Sequence, residues 1–209
     1  MNNQLIYNYK KTQRITQLLG KPKISDLEKY NQLIIVIPKK ESKSIWNLIP
    51  QGKKIKELIK NYSKGSSPAI TSRLKNTKQT SLHIGLLDSK LEAFDRLAFS
   101  RDMIKSVTQE KAGSLAIWVL GFETDFQKKF TEEILSAALV GQFILPSFKS
   151  KSPTQKITSI SLIGLDKKMI TKDIVAESDG NNLTRWLTAL PSNKLDADSY
   201  INLIEQMSN

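Results

Sequence analysis

Continuous apolar runs and helical stripes alternate along this chain. The run QLIIVIP at residues 32–38 is apolar almost throughout and ends at a proline, which is typical of a strand buried on both faces. Residues 51–62 instead place four apolar side chains on one helical face, at Ile55, Leu58, Ile59 and Tyr62. The chain therefore changes from strand to helix over about thirty residues, and such alternation is typical of an α/β protein.

The same alternation continues to the end of the sequence. Short apolar runs predict further strands at 69–74, 80–87, 114–121 and 156–165. Helical spacing predicts helices at 90–110, from 124 onward and at 171–190. Thr124 and Gln127 have the spacing of a capping box, in which each side chain bonds the other's backbone N–H. We predict an α/β fold, a three-layer sandwich around a mixed, mostly parallel sheet, with a C-terminal helical linker.

These signals divide the chain into three predicted parts. Residues 1–30 are polar and give no clear element, residues 31–170 form the α/β domain, and residues 171–209 form the helical linker. The stretch LPSFKSKSPTQK at 145–156 reads as a surface loop. The composition fits a soluble globular protein, with 39% hydrophobic and 25% charged residues and no cysteine. Without an apolar run of about 20 residues or a signal-peptide core, we expect a cytoplasmic protein without membrane association.

The formal net charge of +12 is concentrated in the first third of the chain. Residues 1–64 carry 14 Lys and Arg against 4 Asp and Glu, whereas residues 65–209 carry 18 against 16. A basic segment attracts nucleic acid or another anionic surface. The candidate phosphate contacts lie on the predicted helix at 51–62, at Lys53, Lys54, Lys56 and Lys60. The alternative is that these lysines form a solvated helix face.

Candidate catalytic chemistry is sparse. His83 is the only histidine, and an alternating strand places it opposite Leu82 and Ile84, so a structural or surface role is expected. Glu132 and Glu133 lie near the start of a helix, where negative charge is favourable. The sequence contains no HExxH, GxSxG or Walker-type glycine motif. We therefore predict no catalytic residue and no metal ligand in this chain.

The most specific stretch is GNNLTRWLTALPSNKLDADSY at residues 180–200. It carries a helical stripe of large apolar side chains, which should pack on the chain's own domain and bury the tryptophan: Leu183, Trp186, Leu187 and Leu190. Pro191 should end this helix, since proline disfavours helical geometry in the residue before it. Asn193 suits a turn, and Asp196 can cap a second helix.

This stretch closely resembles a segment of the leucyl (cytosol) aminopeptidases, of the form G-x-N-L-A-R-D-L-x-N-x-P-x-N-x-L-T-P. That segment joins the family's N-terminal domain to its catalytic domain. The matching positions are Gly180, Asn182, Leu183, Arg185, Leu187, Pro191, Asn193 and Leu195. The chain departs from the pattern where Thr184 replaces a small Ala, Trp186 an acidic residue and Ala189 an Asn. Weaker similarity covers EEILSAALVGQFILPSFKSK, with Phe143, Phe148 and Lys149 in similar places.

The resemblance implies an N-terminal domain similar to macro domains, without catalytic residues of its own. It implies a separate catalytic domain with two divalent metal ions, zinc or manganese, which acts on peptides and assembles as a hexamer. The domain in this chain would then serve subunit contacts and access to the active site. Two alternatives stay open: a nucleic-acid-binding module that uses the basic third, and a macro-like domain that binds a nucleotide or ADP-ribose. The second alternative lacks a glycine-rich phosphate loop.

Overall fold

A computed structural model describes residues 14–40, 43–62, 69–111, 113–145 and 157–208 of the chain. Six strands form one sheet in the order β1-β6-β5-β2-β4-β3. The strands are β1 (Ile15–Leu19), β2 (Gln32–Pro38), β3 (Ala69–Arg73), β4 (Ser81–Leu87), β5 (Gly113–Val119) and β6 (Ile157–Leu165). All neighbouring pairs are parallel except β3 with β4. The predicted mixed, mostly parallel sheet is confirmed.

Helices cover both faces of this sheet. They are α1 (Ile24–Leu27), α2 (Gly52–Tyr62), α3 (Ala93–Thr108), α4 (Thr124–Gln142), α5 (Lys172–Ala189) and α6 (Ala197–Ser208), with a 3₁₀ helix at Ile45–Asn47. The predicted strands and helices agree with these bounds to within a few residues. The predicted surface loop at 145–156 falls almost wholly outside the described residues.

The central strand β2 explains the three-layer arrangement, because it is buried on both faces. Ile34 and Val36 join the hydrophobic core beneath α3 and α4. Leu33, Ile35 and Ile37 join a second core with the 3₁₀ helix and α2. A strand that is apolar at consecutive positions can supply both cores at once, since successive side chains point to opposite faces.

The region before residue 31, which gave no clear element in the sequence, contributes β1 and α1. β1 pairs with β6, and the hydroxyls of Thr16 and Ser161 share a hydrogen bond of 2.7 Å. The side chain of Gln17 donates to the carbonyl of Met169 at 2.9 Å and accepts from its N–H at 2.8 Å. These polar side chains therefore have partners about 145 residues away, which local pattern does not reveal.

The predicted capping box at the start of α4 is wrong. The helix begins at Thr124, Glu123 occupies the capping position, and its side chain makes no capping hydrogen bond. Gln127 instead donates to the carbonyl of Gly164 at 3.3 Å, which ties α4 to β6. Gly164 has a φ of +73°, and a Cβ there would overlap the indole nitrogen of Trp118. This position therefore requires glycine for both its backbone and its space.

The C-terminal helices follow the predicted junction. α5 ends at Ala189, and Leu190 is extended before Pro191, as expected from the proline. A turn then follows, in which the Lys194 N–H bonds the Pro191 carbonyl at 2.8 Å. The Asp196 carboxylate accepts the Ser199 N–H at 2.8 Å and so caps α6. The side-chain hydrogen bond from Ser199, and then this backbone bond, lower the pKa of Asp196 from its usual value.

Candidate functional site

The linker packs around one buried tryptophan. Trp186 is 5% exposed and Leu203 of α6 is 9% exposed, so the two helices close on each other. The side chains packed around this pair are partly buried: Phe143, Leu183, Leu187, Leu190 and Leu195. The predicted burial of Trp186 within a single copy of the chain is confirmed. We call this group of seven side chains the linker cluster.

Two polar residues of the linker motif attach α5 to the end of α4. The Arg185 guanidinium donates to the Val140 carbonyl at 3.2 Å and to the Asn182 side-chain oxygen at 3.0 Å. It also lies 5.8 Å from the ring centroid of Phe143. The Val140 carbonyl also accepts the Phe143 N–H at 3.3 Å, and a cation near the last carbonyls of a helix is favourable. Asn182 is 3% exposed and holds the guanidinium in place.

The other motif residues have less specific surroundings. Gly180 lies inside α5, and a Cβ at this position would have nothing within 4 Å. Pro191 and Asn193 are exposed in the turn between the helices. The structure thus gives packing or bonding partners to Asn182, Leu183, Arg185, Leu187 and Leu195. It gives no local reason for glycine at 180 or asparagine at 193.

The four candidate phosphate contacts share α2. Lys53, Lys54 and Lys60 are exposed, and Lys56 is partly buried with its Nζ 5.7 Å from the ring centroid of Trp46. Beside the first turn of α2 lies a shallow depression of about 400 Å³, lined by Trp46, Asn47, Ile49, Gln51, Gly52, Lys53 and Lys54. Of the predicted apolar stripe, Ile55 is buried, whereas Leu58 is 41% exposed. The stripe holds α2 on the sheet and directs most of its lysines outward.

His83 is fully buried in β4. Its Nδ1 lies 2.9 Å from the Ser106 hydroxyl and 3.1 Å from the Thr71 hydroxyl, while Nε2 has no hydrogen-bond partner among the described residues. Burial lowers the pKa of His83 to about 4, although the charge of Glu110 opposes this shift. The Ser106 hydroxyl also donates to the Met103 carbonyl at 2.7 Å. This arrangement is a packed, neutral imidazole, as the predicted structural role requires.

Glu133 differs from the expectation of a favourable helix-end charge. Glu133 forms a two-bond ion pair with Arg96 of α3, at 2.9 Å to Nε and 2.6 Å to Nη2. The exposed fractions of these side chains are 13% and 9%, so the pair is largely shielded from water. The hydrogen bond to Glu133 raises the pKa of Arg96. The pair joins α3 to α4 and leaves Glu133 with a structural task that the sequence did not reveal.

Within the described ranges, no group of three or more His, Asp or Glu side chains could hold a metal ion. None of the described helices is long and apolar enough to cross a membrane. The site with the most specific geometry is therefore the linker cluster with its Asn182–Arg185 attachment.

Sequence comparison finds no match, either to a family model or to a curated protein. Structural comparison finds clear similarity to aminopeptidases. A variant of tomato leucine aminopeptidase superposes with a TM-score of 0.68 at 12% identity, over 95% of this chain and 43% of its own. Leucyl aminopeptidase from Leishmania major gives 0.63 at 10% identity, over 92% and 39%. Cytosol aminopeptidase from Coxiella burnetii gives 0.54 at 13% identity, over 92% and 37%.

These similarities confirm that the predicted family shares this fold. The chain spans about two fifths of the length of the aminopeptidases that it matches. Each superposition covers 92–95% of this chain, which is too much to leave out the whole of either the sheet or the linker. At such low identity the comparisons establish the fold, and function has to be argued from the residues.

Proposed function

We propose that this chain is the noncatalytic N-terminal domain of a two-metal leucyl (cytosol) aminopeptidase, which removes N-terminal amino acids from peptides. The observation that carries the proposal is the unequal coverage, about 95% of this chain against 43% of tomato leucine aminopeptidase. A domain of a larger enzyme gives this asymmetry, whereas a small enzyme of similar size would cover both chains equally. The linker motif, found independently from the sequence, supports the same family.

The chemistry of the described residues supports placing catalysis in a separate domain. A two-metal peptidase needs several carboxylates around one position, where the ions activate water and polarise the scissile carbonyl. The described part of the chain offers no such group. We therefore assign the zinc or manganese ions and the peptide substrate to a separate catalytic domain. The role assigned to this domain is in subunit contacts of a cytoplasmic hexamer and in access to the active site.

The linker cluster is the part that we assign to domain coupling. Arg185 and Asn182 fix the direction in which α5 leaves α4, and Trp186 with Leu203 fixes α6 against α5. These contacts would therefore set the orientation of a catalytic domain attached beyond α6. The linker is thereby a rigid joint, because each of its helices is held by buried contacts as well as by the chain.

The test compares two purified polypeptides in leucyl-amide hydrolysis. One is the 209-residue chain, and the other is the same chain extended by the coding sequence that follows Asn209. We expect no turnover by the first with added zinc or manganese. The second should show turnover that a chelator removes and either metal restores, and light scattering should give six copies. Metal-dependent turnover by the 209-residue chain, or an extended protein without peptidase activity, would refute the proposal.

A further inference from the structure

Positive charge is distributed unequally between the two helical layers of the sheet. The described residues between β2 and β3, which include α2, carry seven lysines and one glutamate. On the opposite layer, α3 and α4 together carry five Lys and Arg and five Asp and Glu. This stretch therefore contributes +6 (seven minus one) of the chain's net charge of +12. We call its basic surface the lysine face, and its members are Lys39, Lys40, Lys43, Lys53, Lys54, Lys56 and Lys60.

Most of the lysine face is available for a partner. Lys39, Lys40, Lys43, Lys53 and Lys54 are exposed and form no ion pair with another described residue. Two arginines elsewhere are compensated, by the pairs of Arg96 with Glu133 and of Arg73 with Glu110. A set of uncompensated like charges on one surface repels itself in the free protein. An anionic partner would relieve that repulsion.

The apolar side chains nearby indicate which anionic partner fits. A helix that lies on a membrane exposes a broad apolar face, and proteins that bind single strands expose aromatic rings for base stacking. On α2 Ile55 of the stripe faces the sheet and is only 2% exposed, and the single exposed Leu58, at 41%, does not make a broad apolar face. Trp46 is 3% exposed beneath Lys56, so its ring cannot stack on a base. The exposed feature of α2 is then its charged lysines, which suit the phosphate backbone of a nucleic-acid duplex.

The spacing along α2 is compatible with several phosphate contacts. Lys53 and Lys60 are both exposed and are seven residues apart, so they lie on one side of the helix over about 10 Å. Duplex DNA carries one negative charge per about 1.7 Å of its axis. A helix segment of this length therefore faces several phosphates at once. We propose that the lysine face binds the phosphate backbone of duplex nucleic acid, without sequence specificity.

The experiment is fluorescence anisotropy with a labelled 20-bp duplex of random sequence. Three to four phosphate contacts predict that affinity falls about 40- to 150-fold between 50 and 200 mM salt. The double variant Lys53→Glu/Lys54→Glu should weaken binding at least tenfold at low salt and flatten the salt dependence. The matched control is Lys128→Glu/Lys129→Glu, which makes the same charge change on α4 of the opposite layer. The control should bind within about twofold of the parent chain.

Circular dichroism of both variants will show that they are folded, since all four positions are exposed. Anionic phospholipid vesicles serve as the competing surface. Three results would overturn the proposal: no binding of the duplex at 50 mM salt, equal losses in the two double variants, or binding of vesicles without binding of the duplex. The result is independent of peptidase activity, because the lysine face and the linker lie on different elements.

Discussion

Replacing Trp186 by alanine tests the rigid linker directly. Truncation of a buried tryptophan costs about 3–5 kcal/mol, from lost burial and from the cavity that remains. Trp186 is 5% exposed, but most of its neighbours in the linker cluster are only partly buried and can move into the space. We therefore expect the lower end of the range, about 3 kcal/mol. For a chain of this size that corresponds to a fall in Tm of about 6–12 °C.

Urea denaturation followed by far-ultraviolet circular dichroism is the appropriate assay. Tryptophan fluorescence is unsuitable, because the substitution removes one of three tryptophans. The midpoint should fall while the m-value stays unchanged if the linker unfolds together with the sheet. A lower m-value would mean that α5 and α6 detach separately from the rest.

The control is Ile201→Ala, which removes a large apolar side chain from α6 where it is 54% exposed. Substitution at such a surface position should change the free energy of unfolding by no more than about 0.5 kcal/mol. If Trp186→Ala were as mild as this control, the linker cluster would contribute nothing to stability. The argument for a rigid joint would then fail.

Two further predictions concern the sheet. Burial lowers the pKa of His83 from 6.5 to about 4 in the folded chain. Between these pH values the imidazole is protonated in the unfolded chain but neutral in the folded one. The free energy of unfolding should therefore fall by about 3 kcal/mol as pH drops from 6.5 to 4. In urea titrations across this range, His83→Gln should lose that part of the pH dependence, and an unchanged profile would contradict the buried neutral imidazole. Gly164→Ala should cost about 1–3 kcal/mol, because it needs φ of +73° and space held by Trp118. Gly180→Ala, in an open helical position, should be neutral or stabilising by up to about 1 kcal/mol. Urea denaturation of both variants checks this, and equal effects at the two glycines would refute the reasoning.

The sequence predicted the central elements well, since their signals are local. β2 is a nearly continuous apolar run, and such a run leaves few alternatives to a strand buried on both faces. The end of α5 and the start of α6 were equally clear, because Pro191 and Asp196 act on the adjacent residues. Fold class and linker could therefore be derived before any coordinates.

The features that the sequence did not reveal all depend on distant partners. β1 mixes polar and apolar residues because Thr16 and Gln17 bond Ser161 and Met169. Gln127 has the spacing of a cap but bonds β6. Such pairings become visible only when the fold has brought the elements together. The candidate sites were harder to predict in full: the four lysines of α2 were expected from the sequence, but the linker cluster includes Phe143 and Leu203, which only the fold brings to Trp186.

The pairing of β1 with β6 has a consequence for biosynthesis. The hydroxyls of Thr16 and Ser161 meet across 145 positions of the chain. A ribosome that adds about 5–20 residues per second needs roughly 7–30 s to make that length. Throughout this interval β1 has been made but its neighbour β6 is incomplete, and contacts of such separation also close slowly. Since β6 is the only described strand that pairs with β1, translation keeps β1 out of the sheet until β6 has been made.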